Sequence, residues 1–184
     1  MKRKFFPSVR NVSMNKDLLR SIQTPVKQRY VESPQSAQVC LKVTGEVDFE
    51  RIGCRISLPV HDGQSILAGL HPAAGGNGTM ACSGELLLQA LVSCAGTTLA
   101  AVATAMELPI RSARLAASGL MDFRGTMGVD RTVPVGITEI QIAVHLDTDA
   151  ADDTVAKLLQ LTERYCVVFR TLADGVRLSS QRSS

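Results

Sequence analysis

Apolar and polar positions change rhythm several times along the chain. Between Gln38 and Thr44, Val39, Leu41 and Val43 alternate with polar neighbours, the period of a strand with one covered face, and Thr44-Gly45 turns the chain. Arg55-Ile-Ser-Leu and Ser65-Ile-Leu-Ala-Gly-Leu predict two more short strands. His71-Pro-Ala-Ala-Gly-Gly-Asn-Gly interrupts them with a loop that lacks the lysine of a phosphate loop. Alternation then stops: Leu86–Met106 holds 21 residues without a charge, dominated by Ala and Leu. Both lose little side-chain freedom in a helix. The stretch predicts a helix over 83–106, with Ser83 capping the first turn and Glu85 beside the positive end of the dipole. Pro109 stops it, for want of a backbone donor. A helix apolar nearly all round is expected to be buried on all sides.

After this helix the strand period returns. Ser112–Phe123 reads as a long strand with Leu115, Ala117 and Gly119 on one face. Turns follow at 124–128 and 132–136. Ile140, Ile142, Val144 and Leu146 alternate with polar residues over Ile137–Asp147, the cleanest half-covered strand in the chain. A second long helix is predicted over about Ala151–Leu172, capped by Asp149 or Asp152. Val155, Leu158, Leu159, Thr162 and Cys166 fall on one of its stripes, so Cys166 faces the core near the helix's end. Val176-Arg-Leu-Ser predicts a last short strand, and the tail beyond it should fray. Upstream, Lys16–Gln23 predicts a short helix with Leu18, Leu19 and Ile22 on one side, ended by Pro25. Strands grouped between helices imply an α+β fold.

Composition refines this picture. The 184 residues suit one domain, with 1–37 as an extension and 38–184 as the body. Aromatics make up 4% and tryptophan is absent, so the core must be built from Leu, Val, Ile and Ala. Residues 1–37 carry a net charge of +6 and residues 38–184 a net of −3. A body of that sign is not a nucleic-acid binder. Lys27 and Arg29 in the extension read as solvated charges or as a contact for an anion or partner. The 83–106 helix is long enough to span a membrane, but Gln89, Ser93, Thr97, Thr98 and Thr104 dilute it and no second span exists. No membrane partner is expected. The opening Met-Lys-Arg-Lys-Phe-Phe-Pro begins like a signal peptide without its apolar run, and a cytoplasmic location is expected. Cysteines 40, 54, 82, 94 and 166 show no metal-type spacing, so neither metal nor other cofactor is called for.

Cys94 sits in the middle of the uncharged helix, where a cysteine is ordinarily a small buried apolar residue. His71, in the glycine-rich loop, is a candidate site residue or a loop histidine bonded to backbone.

Taken together, four stretches resemble the OsmC/Ohr family of osmotically inducible and organic hydroperoxide resistance proteins. They are His71-Pro-Ala-Ala-Gly-Gly, Ser83-Gly-Glu-Leu-Leu-Leu-Gln-Ala-Leu-Val-Ser-Cys94, Leu120-Met-Asp-Phe-Arg-Gly125 and Thr162-Glu-Arg-Tyr-Cys166. The likeness covers roughly 38–172, and its specificity lies in the order of the pieces and in two cysteines 72 positions apart. It implies an OsmC-like α+β fold, with antiparallel-rich sheets around two long buried helices, in an intertwined homodimer. It further implies a thiol-dependent peroxidase that reduces organic hydroperoxides, with Cys94 peroxidatic and Cys166 resolving, reset by a dithiol reductant of lipoyl type in some relatives.

Relatives lower the pKa of the reactive thiol with an arginine held by a glutamate near the start of the helix. Glu85 is the acid there, and the resemblance makes it the third site residue. Nine residues of regular helix separate it from Cys94 by about 13.5 Å and about half a turn, so it would serve through a kink near Gly96, a long arginine, or a dimer interface. Arg29, Arg51 and Arg55 are the candidate arginines. Cys166-Val167 departs from the Cys-Pro of many relatives. Two other functions fit the same sequence: a non-catalytic relative binding a small apolar ligand in the dimer cleft, and an interaction protein docking a partner through its basic arm.

Overall fold

The computed structural model describes residues 13–58 and 64–182. The signal-like opening and the last two residues of the tail lie outside them. The first element among the described residues is helix α1 (Lys16–Glu32), whose first turn is closed by Asn15 Oδ1 accepting the N–H of Leu18 at 2.9 Å. Pro25 does not end it. No residue of α1 is buried, so the Ser21 carbonyl that loses its donor to the proline is open to water.

Strands β1 (Gly45–Asp48), β2 (Gly53–Ser57), β3 (Ser65–Gly69) and β4 (Ala81–Cys82) form one sheet in that order. β1–β2 and β2–β3 are antiparallel, and β3–β4 is parallel. The strand expected at 39–43 is absent: these residues are exposed and unpaired, and alternation alone makes no strand without a neighbouring edge. Between β3 and β4 the His71 loop winds back so tightly that a Cβ on Gly76 would lie 1.8 Å from the Leu70 carbonyl oxygen. Only glycine fits there.

β4 leads directly into α2 (Ser83–Ala105). Its N-cap is Cys82, with no side-chain cap, so Ser83 is the first helical residue rather than the cap. α2 ends in a Schellman turn: Leu108 N–H bonds the Ala103 carbonyl and Glu107 N–H the Thr104 carbonyl. Glu107 takes the left-handed position at φ 56°, and its carboxylate pairs with Lys16 Nζ at 2.5 Å, tying α1 to the end of α2.

β5 (Ile110–Met121) and β6 (Ile137–Thr148) form a long antiparallel ribbon, joined through the single helical turn α3 (Phe123–Thr126). On its inner face Ala113, Leu115, Ala117 and Gly119 stand opposite Leu146, Val144, Ile142 and Ile140. Small residues on β5 let α2 approach: a Cβ on Gly119 would lie 3.6 Å from Leu88 of α2. The expected second long helix is two helices, α4 (Asp152–Tyr165) and α5 (Val167–Asp174), separated at Cys166. α4 starts at Ala151 without a side-chain cap, and Asp152 and Asp153 face the dipole from its first turn. No strand forms over 176–179.

The core lies where α2 and α4 meet the ribbon. Leu99, Ala103 and Leu158 are its buried centre, flanked by Val102, Ile110, Val144 and Leu159. α2 buries Leu91, Ala95, Leu99 and Ala103, one residue every four, and the rest of its surface is at least partly exposed in the single chain. Its apolar character therefore exceeds what one chain covers. Among the described residues α2 is the one helix long and apolar enough to cross a membrane, but it packs on the ribbon, α4 and α5 as a core helix does.

Candidate active site

Two helices bring the predicted cysteines together. Cys94 lies mid-way along α2, one residue before buried Ala95 and three after buried Leu91, so its side chain stands at the edge of the helix's packed stripe. Cys166 is completely buried and belongs to neither of its flanking helices. Its backbone is extended (φ −74°, ψ 111°), closing α4 by donating its N–H to the Thr162 carbonyl and opening α5 as the N-cap. No proline or glycine marks this break in the sequence. The local signal is the pair Val167-Val168, whose branched side chains lose rotamer freedom in a helix.

At α5's first turn, Cys166 Sγ accepts the N–H of Phe169 at 3.5 Å. The backbone of Val168 and Val167, the Cys166 thiol and the Thr98 hydroxyl are the groups near enough to the Cys94 sulfur to shift its acidity. Burial acts most strongly on Cys94 and pushes its thiol up. The Val168 N–H, the Cys166 thiol, the Val167 N–H and the Thr98 hydroxyl pull it down, and together they leave it below the ordinary thiol value. Cys166 moves the other way: burial raises it most, donation to Cys94 and the Cys94 charge raise it further, and the N–H groups of Phe169 and Val168 offset only part. Of the two, Cys94 is the more acidic thiol and Cys166 the less acidic.

The surroundings are apolar. A cavity of about 120 Å³ borders Cys166, walled by Ala95, Leu115, Ile142, Val144 and Phe169. Beyond Phe169 and Ile142 a groove of about 310 Å³ runs along Leu91, Ile140 and Leu172.

Glu85 is not part of this cluster. It is exposed in the first turn of α2, which runs unbroken through Gly96, and no ion pair among the described residues includes it. Arg29 lies over the Tyr30 ring, Arg51 is 3.9 Å from Asp48, and Arg55 donates to Ser65. His71 caps its own loop, with Nδ1 accepting the N–H of Ala73 at 3.0 Å and its ring stacked 4.9 Å from Phe123. Thr98, Val167 and Val168 were not foreseen from the sequence. Thr98 was legible in principle, one turn on from Cys94 on the same helix. The two N–H groups were not, because they come into play only through the break at Cys166.

The family model of the OsmC-like proteins matches residues 76–181, which include both cysteines. Solved structures share the fold. An OsmC-like protein from Mycoplasma pneumoniae superposes with a TM-score of 0.60 at 15% identity, covering 74% of this chain and 89% of that one. An organic hydroperoxide resistance protein from Legionella pneumophila gives 0.54 at 10% identity, over 73% and 91%. One from Elizabethkingia anophelis gives 0.51 at 10%, over 73% and 90%. No curated protein matches in sequence.

Proposed function

The chain belongs to the OsmC-like protein family, and from that premise we propose that it is a thiol-dependent peroxidase acting on organic hydroperoxides. The observation that carries the reading is that Cys94 and Cys166 lie near enough to shift each other's acidity, Cys94 downward and Cys166 upward. A thiolate is the nucleophile toward peroxide oxygen. Cys94 attacks the hydroperoxide: an S–O bond forms, the O–O bond breaks, and the alkoxide takes the Cys166 proton to leave as alcohol. Cys94 is then a sulfenic acid and Cys166 a thiolate beside it. Cys166 attacks the Cys94 sulfur, hydroxide leaves, and the disulfide closes. A dithiol reductant, lipoyl-type in chemistry, returns the pair to thiols. The apolar cavity and groove beside the pair suit a hydroperoxide with an organic chain over hydrogen peroxide.

The working unit of this proposal is a cytoplasmic homodimer. Phe49, Leu41 and Val167 are 89%, 87% and 69% exposed. Glu85, remote from its own Cys94, acts in this picture from the second copy.

Stopped-flow oxidation of the reduced protein by cumene hydroperoxide and by hydrogen peroxide tests the proposal, with mass spectrometry of the product. Fast reaction with the organic peroxide, lost in Cys94→Ser and ending in a Cys94–Cys166 disulfide, is expected. Slow, unselective oxidation without that linkage would sink it, and the apolar groove would then favour the reading as a binder of small apolar ligands.

A further inference from the structure

A completely buried sulfur can be reached only where a wall gives way. Cys166 is such a sulfur, and two residues, Ile142 and Phe169, line both the cavity that it borders and the outer groove. These two walls are held differently. Ile142 is fixed in the β5–β6 ladder opposite Ala117. Phe169 stands on α5, an eight-residue helix with no buried residue. Its N–H bonds the Cys166 sulfur at 3.5 Å, so the ring is anchored next to the thiol that it shields. An aromatic ring swings about two side-chain torsions, whereas a ladder strand moves only by breaking its hydrogen bonds.

We propose that Phe169 is a gate between the groove and the Cys166 cavity, and that it sets how large an organic group the site accepts. The gate itself stands on geometry alone; its part in choosing the substrate rests on the peroxidase reading. In that reading the departing oxygen takes its proton from Cys166, so the organic group that it carries lies next to that thiol. The apolar space there is the cavity of about 120 Å³. A group that outgrows it continues past Phe169 into the groove of about 310 Å³ along Leu91, Ile140 and Leu172. The ring therefore discriminates by bulk: small groups are served inside the cavity, and longer ones need the gate open.

The charges around these spaces narrow the class of that group. Glu163 borders the cavity and Glu139 the groove, and among the described residues neither space is lined by a lysine or an arginine. The cations of α4 and α5 near by are engaged elsewhere: Arg164 lies over the Tyr165 ring at 5.4 Å, and Arg170 pairs with Asp174 at 2.5 Å. An anionic group entering an apolar space without a cation loses its hydration uncompensated. The group that passes Phe169 is thus a neutral alkyl or aryl chain.

Access to Cys166 tests the gate without any peroxide. N-ethylmaleimide, applied to the reduced protein and followed at the Cys166 peptide, should label Phe169→Ala about tenfold or more faster than the wild type. Thr171→Gly, at an exposed position of α5, loosens the helix through its backbone and keeps the ring, so it should stay within about threefold of the wild type. Equal acceleration in both variants would mean that α5 opens as a whole, and no acceleration in Phe169→Ala would mean that the ring bars nothing; either overturns the gate. Size selectivity tests its part in the reaction. The rates of oxidation by tert-butyl hydroperoxide and by the methyl ester of a long-chain hydroperoxide are taken as a ratio, which cancels any change in the thiol itself. Phe169→Ala should raise the long-chain to tert-butyl ratio about tenfold, and Phe169→Trp should lower it. Ratios within about twofold of the wild type, in variants that keep native circular dichroism, overturn the specificity role. In the wild type the free acid of the same chain should react more slowly than its ester, and equal rates would overturn the neutral class. Failure of the wild-type protein to react with any hydroperoxide would remove the peroxidase reading and leave the labelling result standing.

Discussion

Cys94 and Cys166 displace each other's acidity in opposite directions: the influence of Cys166 lowers Cys94, and that of Cys94 raises Cys166. Two equivalent buried thiols would compete for one proton. Two backbone N–H groups lower each thiol, so the difference lies elsewhere: the Cys166 thiol and the Thr98 hydroxyl lower Cys94 further, while burial and the neighbouring Cys94 raise the completely enclosed Cys166. The asymmetry separates a nucleophile from a proton donor within one pair.

Selective reactivity is the first consequence. The lowered pKa of Cys94 lets its thiolate form at lower pH than that of an ordinary thiol, so alkylation should rise with pH and level off earlier than for free cysteine. The raised pKa of Cys166 places its own rise later. Peptide mass spectrometry after brief iodoacetamide treatment at pH 7 should find Cys94 modified and Cys166 untouched, with exposed Cys40 as the control for reagent access. Equal labelling of Cys94 and Cys166 would contradict the assignment.

Cys166→Ser should separate the two steps of the reaction. A serine hydroxyl still donates to Cys94, so the first oxidation should keep its rate within about threefold. No resolving sulfur remains, so the sulfenic acid persists and excess cumene hydroperoxide carries it to sulfinic acid, seen as a gain of two oxygens on the Cys94 peptide. Turnover with a dithiol reductant should fall far more than the first step. A variant that turned over at the wild-type rate would show that Cys166 is not the resolving residue.

The strands and the uncharged helix were legible because their signals are local. Ile137–Thr148 carries a period of two along its whole length, and Ser83–Ala105 is composed of residues that leave a helix as the best option. The failures come from tertiary context. Val39, Leu41 and Val43 alternate as a strand does but find no edge to pair with. Pro25 should end a helix, and it does not where water can meet the stranded carbonyl. The stripe Leu158, Thr162, Cys166 reads correctly as core, but the same periodicity hides the break that turns Cys166 into a cap. The two cysteines could be singled out by resemblance. The groups that tune them could not, since a backbone N–H has no letter of its own.

Core packing between α2, α4 and the ribbon should dominate stability. Leu158 is fully enclosed at the centre of that contact. Leu158→Ala should cost about 3–5 kcal/mol, seen as a lower urea midpoint with an unchanged slope. A cost under about 1 kcal/mol would mean that the helices close over the cavity.

Gly76→Ala tests a different kind of constraint. The added Cβ would lie 1.8 Å from the Leu70 carbonyl oxygen, backbone against backbone, so no side-chain rotation relieves it. The loop must unwind, breaking the Gly76 N–H bond to the His71 carbonyl and the His71–Phe123 stack that braces it. A loss of about 2 kcal/mol or more is expected in urea denaturation. Wild-type stability would show that the loop has a second conformation of equal energy.

Association is the remaining expectation that can be measured directly. The stripe on α2 covers one residue in four, and Val167, next to the cysteine pair, is largely exposed beside Tyr165. Obligate interfaces bury about 2,000–5,000 Å² of largely apolar surface. Sedimentation equilibrium should therefore give twice 19.7 kDa at micromolar concentration, and the melting temperature should rise with protein concentration. Val167→Lys places a charge on the exposed apolar surface, so it should weaken association. A monomer that melts at the same temperature across a hundredfold range of concentration would mean that this surface stays in water, and Glu85 would then have no route to a thiol.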